Sequence, residues 1–274
     1  MKRLILAAML ATSFAGAAHA HETPNTQKSH DALKAAIASK DRTPANVLRD
    51  SARHPYETLS FFGIKQTMTV VELSPGGGWY TEILAPYLRD NGKLIAAGES
   101  PTSAREGAKR AAARLGDKLA ANPAMYGKVQ RGVFEVPTTY NFAAPGSVDM
   151  VLTFRNMHNW TGEGDAKVKE ILKSVHTALK PGGVFGVVDH RAPAGKPVKP
   201  DSGYLHEAEV IKMVEAAGFK LAAKSEINAN PKDTADHNKG VWSLPPVLSN
   251  KDVDREKYLA IGESDRMTLK FVKK

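Results

Sequence analysis

From residue 43 onward one pattern repeats along the chain: a short apolar run rich in Val, Ile and Leu, a glycine or turn, then a longer stretch with apolar residues three and four apart. The short runs predict strands at 69–73, 93–97, 127–132, 149–154, 184–189, 220–227 and 267–272. The helical spacing predicts helices at 80–88, 103–121, 165–179 and 207–217. Before them, "HETPNTQKSH" reads as a polar flexible leader and "DALKAAIASK" as a helix; in "TPANVLRDSA", Thr43 is the N-cap and Pro44 the first helical position. "LKPGG" at 179–183 and "EAAGFK" at 215–220 each stop a helix and turn into the next strand. Strands alternating with helices predict an α/β fold with a mostly parallel sheet covered on both faces. Residues 228–262 form the longest irregular stretch, a lid or a plain connection.

One junction carries unusual backbone freedom. "VVELSPGGGWYTEILAPYL", residues 70–88, puts three consecutive glycines between the strand that ends near Glu72 and the next helix. Glycines there permit positive φ and let a ligand approach without a Cβ in the way. The helix start adds free N–H groups that suit a carboxylate or phosphate, and the ends of parallel strands are where open α/β sheets bind ligands. A dinucleotide would call for G-x-G-x-x-G. The chain has S-P-G-G-G-W, with Trp79 and Tyr80 where a pyrophosphate would need room. The other candidate is S-adenosylmethionine, its amino-acid end against the glycine turn and its ribose on an acidic residue after the next strand.

Residues 1–20, "MKRLILAAMLATSFAGAAHA", change where such chemistry would take place. Lys2 and Arg3 precede an apolar core and a small-x-small ending at Ala18–Ala20, the pattern of a cleavable secretory signal. The apolar part is shorter than the roughly 20 residues a membrane span needs, and no later stretch reaches that length. The expectation is a periplasmic protein, cleaved after Ala20, with no transmembrane segment in its mature form. The absence of cysteine leaves stability to an ordinary core. Formal charge is +9, or +7 once Lys2 and Arg3 leave, and the basic residues are scattered. That argues for a solvated surface rather than a nucleic-acid groove.

With the residues laid out, a family resemblance emerges. "VVELSPGGGWYTEILAPYL" resembles the first motif of class I S-adenosylmethionine-dependent methyltransferases, with Glu72 as its acidic member, Ser74 at the usual first glycine, and Gly76 and Gly78 at the others. "GKLIAAGES" is similar to the second strand, its acidic residue displaced to Glu99. "GSVDMVLTFRNMHNW", "ALKPGGVFGVVDHRA", "MVEAAGFKL" and "DRMTLKFVKK" follow in the family's order over 45–274. More narrowly, "RHPYETLSFFGIK", "DHRA" and "GYLHEAEV" are similar to exported predicted methyltransferases. The resemblance implies a three-layer Rossmann-like fold with a mostly parallel seven-stranded sheet, its last strand antiparallel. Residues 21–44 are then a leader and helix, and 45–274 the methyltransferase-like domain. It further implies that Glu72, Ser74, Pro75, Gly76, Gly77, Gly78, Trp79, Tyr80, Glu99, Arg155 and Asn156 hold S-adenosylmethionine, Glu72 through the ammonium, directly or by way of water, and Glu99 through the ribose.

Residues after the fourth and fifth strands face the reaction. If the acceptor is a hydroxyl or amine, a histidine base assists. His190 is the first candidate, with Asp189 as orienter and His158 as the alternative base, although Asp189 and His190 point to opposite faces of a strand. Tyr204 and His206 are candidates for the substrate side. Each has a structural reading beside it: His158 bonding its loop, His206 at a helix surface, Asp189 satisfying turn amides, Trp79 packing on a helix, and Arg191, Lys196 and Lys199 in a solvated turn. His158, His190, His206 and His237 could converge on a metal, but no pair has tight ligand spacing, so no metal is expected. G-x-S-x-G is absent, which argues against a serine hydrolase. Two further readings remain open: an exported small-molecule-binding protein that keeps the fold without catalysis, and an envelope interaction protein that uses its basic surface. The acceptor in the enzymatic reading is a small molecule or an envelope component.

Overall fold

The computed structural model describes residues 24–274; the export signal expected at 1–20 lies outside them. Helices are α1 (Pro24–Ile37), α2 (Pro44–Val47), α3 (Asp50–Arg53), α4 (Pro55–Phe62), α5 (Thr81–Leu88), α6 (Glu106–Ala121), α7 (Pro123–Tyr126), α8 (Met157–Thr161), α9 (Asp165–Ala178), α10 (Glu207–Ala216) and α11 (Arg255–Ile261). Strands are β1 (Thr69–Leu73), β2 (Lys93–Gly98), β3 (Gln130–Glu135), β4 (Thr139–Asn141), β5 (Val148–Phe154), β6 (Leu179–His190), β7 (Phe219–Ser225) and β8 (Arg266–Lys273). They form one sheet in the order β4-β3-β2-β1-β5-β6-β8-β7. β8 is antiparallel to both neighbours, as expected of the last strand.

Alternation along the strands divides the core in two. Val71 and Leu73 of β1, Val151 of β5 and Phe185 and Val187 of β6 face α8, α9 and α10. Val70, Met150, Leu152, Phe154 and Val188 face α1, α4, α5 and α7. α9 shows why the helices lie where they do: Val168, Ile171, Leu172, Val175 and Ala178 are buried on one stripe, with charged residues on the other side. No helix among the described residues is long and apolar enough to cross a membrane.

Four expectations shift. The sheet has eight strands rather than seven, because "TYN" at β4 folds back on β3; three residues are too few to show periodicity. β3 starts three residues later than expected, since Asn122 caps α7 by accepting from the Met125 amide at 3.1 Å, with Pro123 at the first helical position. The leader is helical from Pro24. At "LKPGG" the helix does stop, but the chain runs straight into β6, and residues 180–183 bulge out of register between Leu179 and Val184.

β1 to β3 run outward in one direction and β5 to β6 in the other, so the strand order reverses between β1 and β5. The glycine turn follows β1 and Asn156 follows β5, on either side of that crevice.

Candidate functional site

The turn after β1 splits into two kinds of residue. Ser74, Gly76 and Gly78 all have positive φ, at 48°, 56° and 74°. A Cβ on Gly76 or Gly77 would meet nothing within 4 Å, whereas one on Gly78 would lie 2.6 Å from Cε of Lys118. So Gly76 and Gly77 keep backbone open to a cavity, and Gly78 lets Lys118 cross the turn to reach Glu82 at 2.6 Å. The cavity holds about 750 Å³ and is lined by Ser74, Pro75, Gly76, Gly77, Glu99 and Asn156, with α6 and α8 as walls. That volume suits a single nucleoside-sized ligand.

Glu99 follows β2 directly and faces this cavity, paired with Arg105 at 3.1 Å. Burial pushes its carboxyl above the usual value, with Arg105 opposing. The last strand position before Glu99 is tight: a Cβ on Gly98 would sit 3.2 Å from the end of the Leu115 side chain. Glu135, which sequence reasoning missed, holds the same loop from below. It accepts from the Ser100 amide at 3.1 Å and the Ser103 hydroxyl at 2.5 Å. α6 starts at Glu106, three residues later than expected.

Glu72 is buried under the turn and accepts from Thr81 Oγ1 at 2.6 Å. Burial pushes it up to about 7, against Thr81 and Lys118. It does not line the cavity itself.

Trp79 and Tyr80 are corrections to the cofactor set, because their rings pack in the core. The Trp79 indole donates to the Asn46 carbonyl at 2.9 Å and has the guanidiniums of Arg42 and Arg53 against it, at 5.2 and 4.6 Å. Tyr80 stacks on Phe154 with ring centroids 3.5 Å apart. Arg155, also expected at the cofactor, has φ of 61° and turns toward Arg53 and Arg266 instead. Asn156 stays at the crevice, its amide donating to the Leu73 carbonyl and Thr153 hydroxyl, both at 3.2 Å. Thr43 stands at the N-cap of α2, but its hydroxyl donates to Glu82 rather than capping.

The reaction-side residues regroup. Asp189 faces α8 and receives the Met157 amide at 2.7 Å, the His190 amide at 2.7 Å and His158 Nδ1 at 2.9 Å. Burial opposes its ionisation, but His158 and His190 hold it below the usual range. The carboxylate expected to orient His190 therefore orients His158. The His190 ring lies on the other face, with Nδ1 2.5 Å from Ser264 Oγ, and burial pushes it down to about 3. The two imidazoles still meet, with ring centroids 5.1 Å apart. His158, Asp189 and His190 could approach one metal ion. Asp189, however, already spends both oxygens on amides and His158, which leaves little for a cation.

His158 opens on a second cavity of about 470 Å³, whose walls include Tyr204 and Trp242. Trp242 comes from the irregular 228–262 stretch, so that stretch forms part of a wall. The Tyr204 hydroxyl is tied to Asp233 at 2.8 Å, and His237 bonds the same carboxylate. His206 stands apart at the N-cap of α10. Lys196 and Lys199 are exposed, as expected of a solvated turn. Arg191 is a correction: it is a clamp, paired with Asp265, Glu226 and Glu207.

No protein-family model and no curated protein matches the chain. Solved structures do. A SAM-dependent methyltransferase from Aquifex aeolicus aligns over 89% of this chain and 97% of its own, at 17% identity and a TM-score of 0.54. Geranyl diphosphate methyltransferase in complex with SAM aligns over 88% and 95%, at 13% identity and 0.55. The cyclase SpnF aligns over 91% and 94%, at 14% identity and 0.53. At these identities the likeness establishes the fold, that of class I S-adenosylmethionine-dependent methyltransferases.

Proposed function

We propose that this protein binds S-adenosylmethionine at the glycine turn and transfers its methyl group to an acceptor in the cell envelope. The observation that carries this is the cavity itself. Open backbone at Gly76 and Gly77, the Glu99 carboxylate after β2 and Asn156 after β5 converge on one nucleoside-sized space at the strand-order reversal. Neighbours of the same fold, one of them in complex with SAM, support the cofactor. The residues after β5 and β6 supply the reacting side.

In this reading the acceptor atom attacks the sulfonium methyl in line. The new bond to carbon forms as the carbon–sulfur bond breaks, and sulfur keeps the electron pair, giving S-adenosylhomocysteine. Positioning supplies much of the rate. Where the acceptor carries a proton, His158 is the better base: Asp189 holds its Nδ1, leaving Nε2 to take the proton. His190, pushed to about 3, stays neutral and serves as a wall or hydrogen-bond partner. The secretory pattern at 1–20 supports action in the periplasm. A second reading, an exported binding protein without catalysis, draws on the departures from the family pattern at Ser74 and Glu99; SpnF, by its name a cyclase, shows only that the fold serves more than one function.

Calorimetric titration of S-adenosylhomocysteine tests the cofactor. Micromolar binding is expected in the parent protein and its loss in Gly77→Val, whose side chain enters open space rather than the core. A folded protein that binds neither S-adenosylmethionine nor S-adenosylhomocysteine sinks the methyltransferase reading. Cell fractionation of the full chain checks the compartment, and recovery in the cytoplasm overturns it.

A further inference from the structure

Four arginines gather where α3, β5 and β8 meet: Arg49, Arg53, Arg155 and Arg266. Glu263 is the carboxylate among them. It accepts from Arg49 Nε at 2.6 Å and from an Arg266 terminal nitrogen at 3.0 Å, and lies 3.5 Å from Arg53 Nε. Although burial opposes its ionisation, Arg49, Arg266 and Arg53 hold it at about 2. One carboxylate cannot serve four guanidiniums. All three nitrogens of Arg53, one terminal nitrogen of Arg49 and Nε of Arg266 are buried without a hydrogen-bond partner. Arg53 is only 2% exposed and Arg266 4%.

Such an arrangement is costly unless something negative completes it, since a buried donor without a partner loses its water and gains nothing. Burial, with neighbouring arginines adding to it, pulls Arg53 down to about 9 and Arg155 to about 10. Other groups nearby are uncharged or already used: Trp79 packs on Arg53, Tyr80 stacks on Phe154, and Asp50 is spent on Arg42. Arg49 and Arg155 are only partly buried, which leaves the cluster a way out to the surface.

Its location ties it to the reaction. Arg266 is the cross-strand partner of His190 on the β6–β8 ladder, so the two side chains share one face of the sheet. None of the four arginines lines the glycine-turn cavity. We propose that this cluster is an anion site that receives a carboxylate or phosphate of the methyl acceptor and so directs an anionic substrate to the His158–His190 pair. Guanidiniums suit both groups, because their planar donors bind two oxygens at once. The proposal rests on the methyltransferase reading for the word acceptor; the anion site itself does not.

The test is thermal unfolding of the full chain at constant ionic strength, with chloride replaced stepwise by inorganic phosphate and, separately, by acetate. A saturable rise in Tm of several degrees is expected, since a ligand of the folded state alone stabilises it. Arg53→Met should abolish that rise and leave the Tm in chloride close to the parent's, because it removes three buried nitrogens without hydrogen-bond partners and gives up only a 3.5 Å approach to Glu263. Arg155→Met, at a position less buried than Arg53, should weaken the response at least several-fold. The rise should persist under saturating S-adenosylhomocysteine. No saturable response to either anion overturns the proposal, as does a response unchanged in both variants. A response erased by S-adenosylhomocysteine also overturns it, by assigning the cluster to the cofactor's own carboxylate. A response to phosphate with no S-adenosylhomocysteine binding discards the methyltransferase reading and keeps the anion site. Cofactor binding without an anion response discards the site alone.

Discussion

The five residues from Gly76 to Tyr80 build two unlike surfaces. At Gly76 and Gly77 the backbone is bare and borders about 750 Å³ of space. Two residues on, Trp79 and Tyr80 are 6% and 4% exposed, wedged among Arg42, Arg53 and Phe154. One short junction thus provides the opening for a ligand and the anchor that holds the opening in place. Residue size separates the two roles more sharply than polarity does, and substitutions on each side should fail in different ways.

Trp79→Ala gives the largest expected effect. A buried indole replaced by Ala costs about 3–5 kcal/mol, and here the loss also strips Arg42 and Arg53 of the ring they pack on. Chemical denaturation should show the midpoint falling with an unchanged slope, while the fraction still folded binds S-adenosylhomocysteine with near-parent affinity. A collapse in affinity at unchanged stability would mean that the indole touches ligand after all. Gly77→Val inverts the pattern. Stability should stay within about 0.5 kcal/mol, as for other substitutions that disturb no packing. Affinity should fall about a hundredfold, equivalent to about 2.8 kcal/mol.

How much of this was legible beforehand follows the same division. Strands β1, β2, β5 and β8 stood out because Val, Ile and Leu runs between turn residues leave little alternative, and the glycines marked the ligand turn for the same local reason. Trp79 and Tyr80 were misplaced because an aromatic beside a glycine loop fits a stacking role as well as an anchoring one. Only the distant residues Asn46, Arg42, Arg53 and Phe154 decide between them. Asp189 does serve a histidine, but the one it bonds is His158, 31 residues away in sequence on the same face of the sheet, and not its chain neighbour His190, whose ring lies on the other face. The arginine cluster combines residues 49, 53, 155 and 266, and no window of sequence contains it. Local chemistry is written locally; pairings made by the fold are not.

Glu72 sits beneath both halves of the junction and offers a pH test of the comparison. Its folded value of about 7 lies above the ordinary 4.5. Between those values the native state therefore holds a proton that the unfolded state has released. The associated stability is full below about pH 4.5 and is lost as pH rises through about 7, by something on the order of 1–3 kcal/mol. Glu72→Gln should flatten that decline. If the parent's stability is already flat over the window, burial of Glu72 is relieved by water or Lys118, and the scaffold half is less dry than the packing implies.

Glu99→Gln should have the smallest effect and bears on the ligand half alone. The carboxylate is one-third exposed and its Arg105 partner half-exposed, so the pair adds no more than about 1 kcal/mol to folding. Two ribose hydroxyls can each donate to a carboxylate oxygen, whereas a Gln amide accepts only one of them. About a tenfold loss of S-adenosylhomocysteine affinity, equivalent to about 1.4 kcal/mol, is therefore expected at unchanged Tm. Glu135→Gln is the informative partner, because that buried carboxylate fixes Ser100 and Ser103 without lining the cavity. It should lower stability, and lower affinity only by loosening the 99–105 loop. If Glu99→Gln leaves affinity intact while Glu135→Gln reduces it, the ligand reads the shape of the loop rather than its charge. The acidic residue displaced to position 99 would then be part of the cavity wall and not a ribose partner.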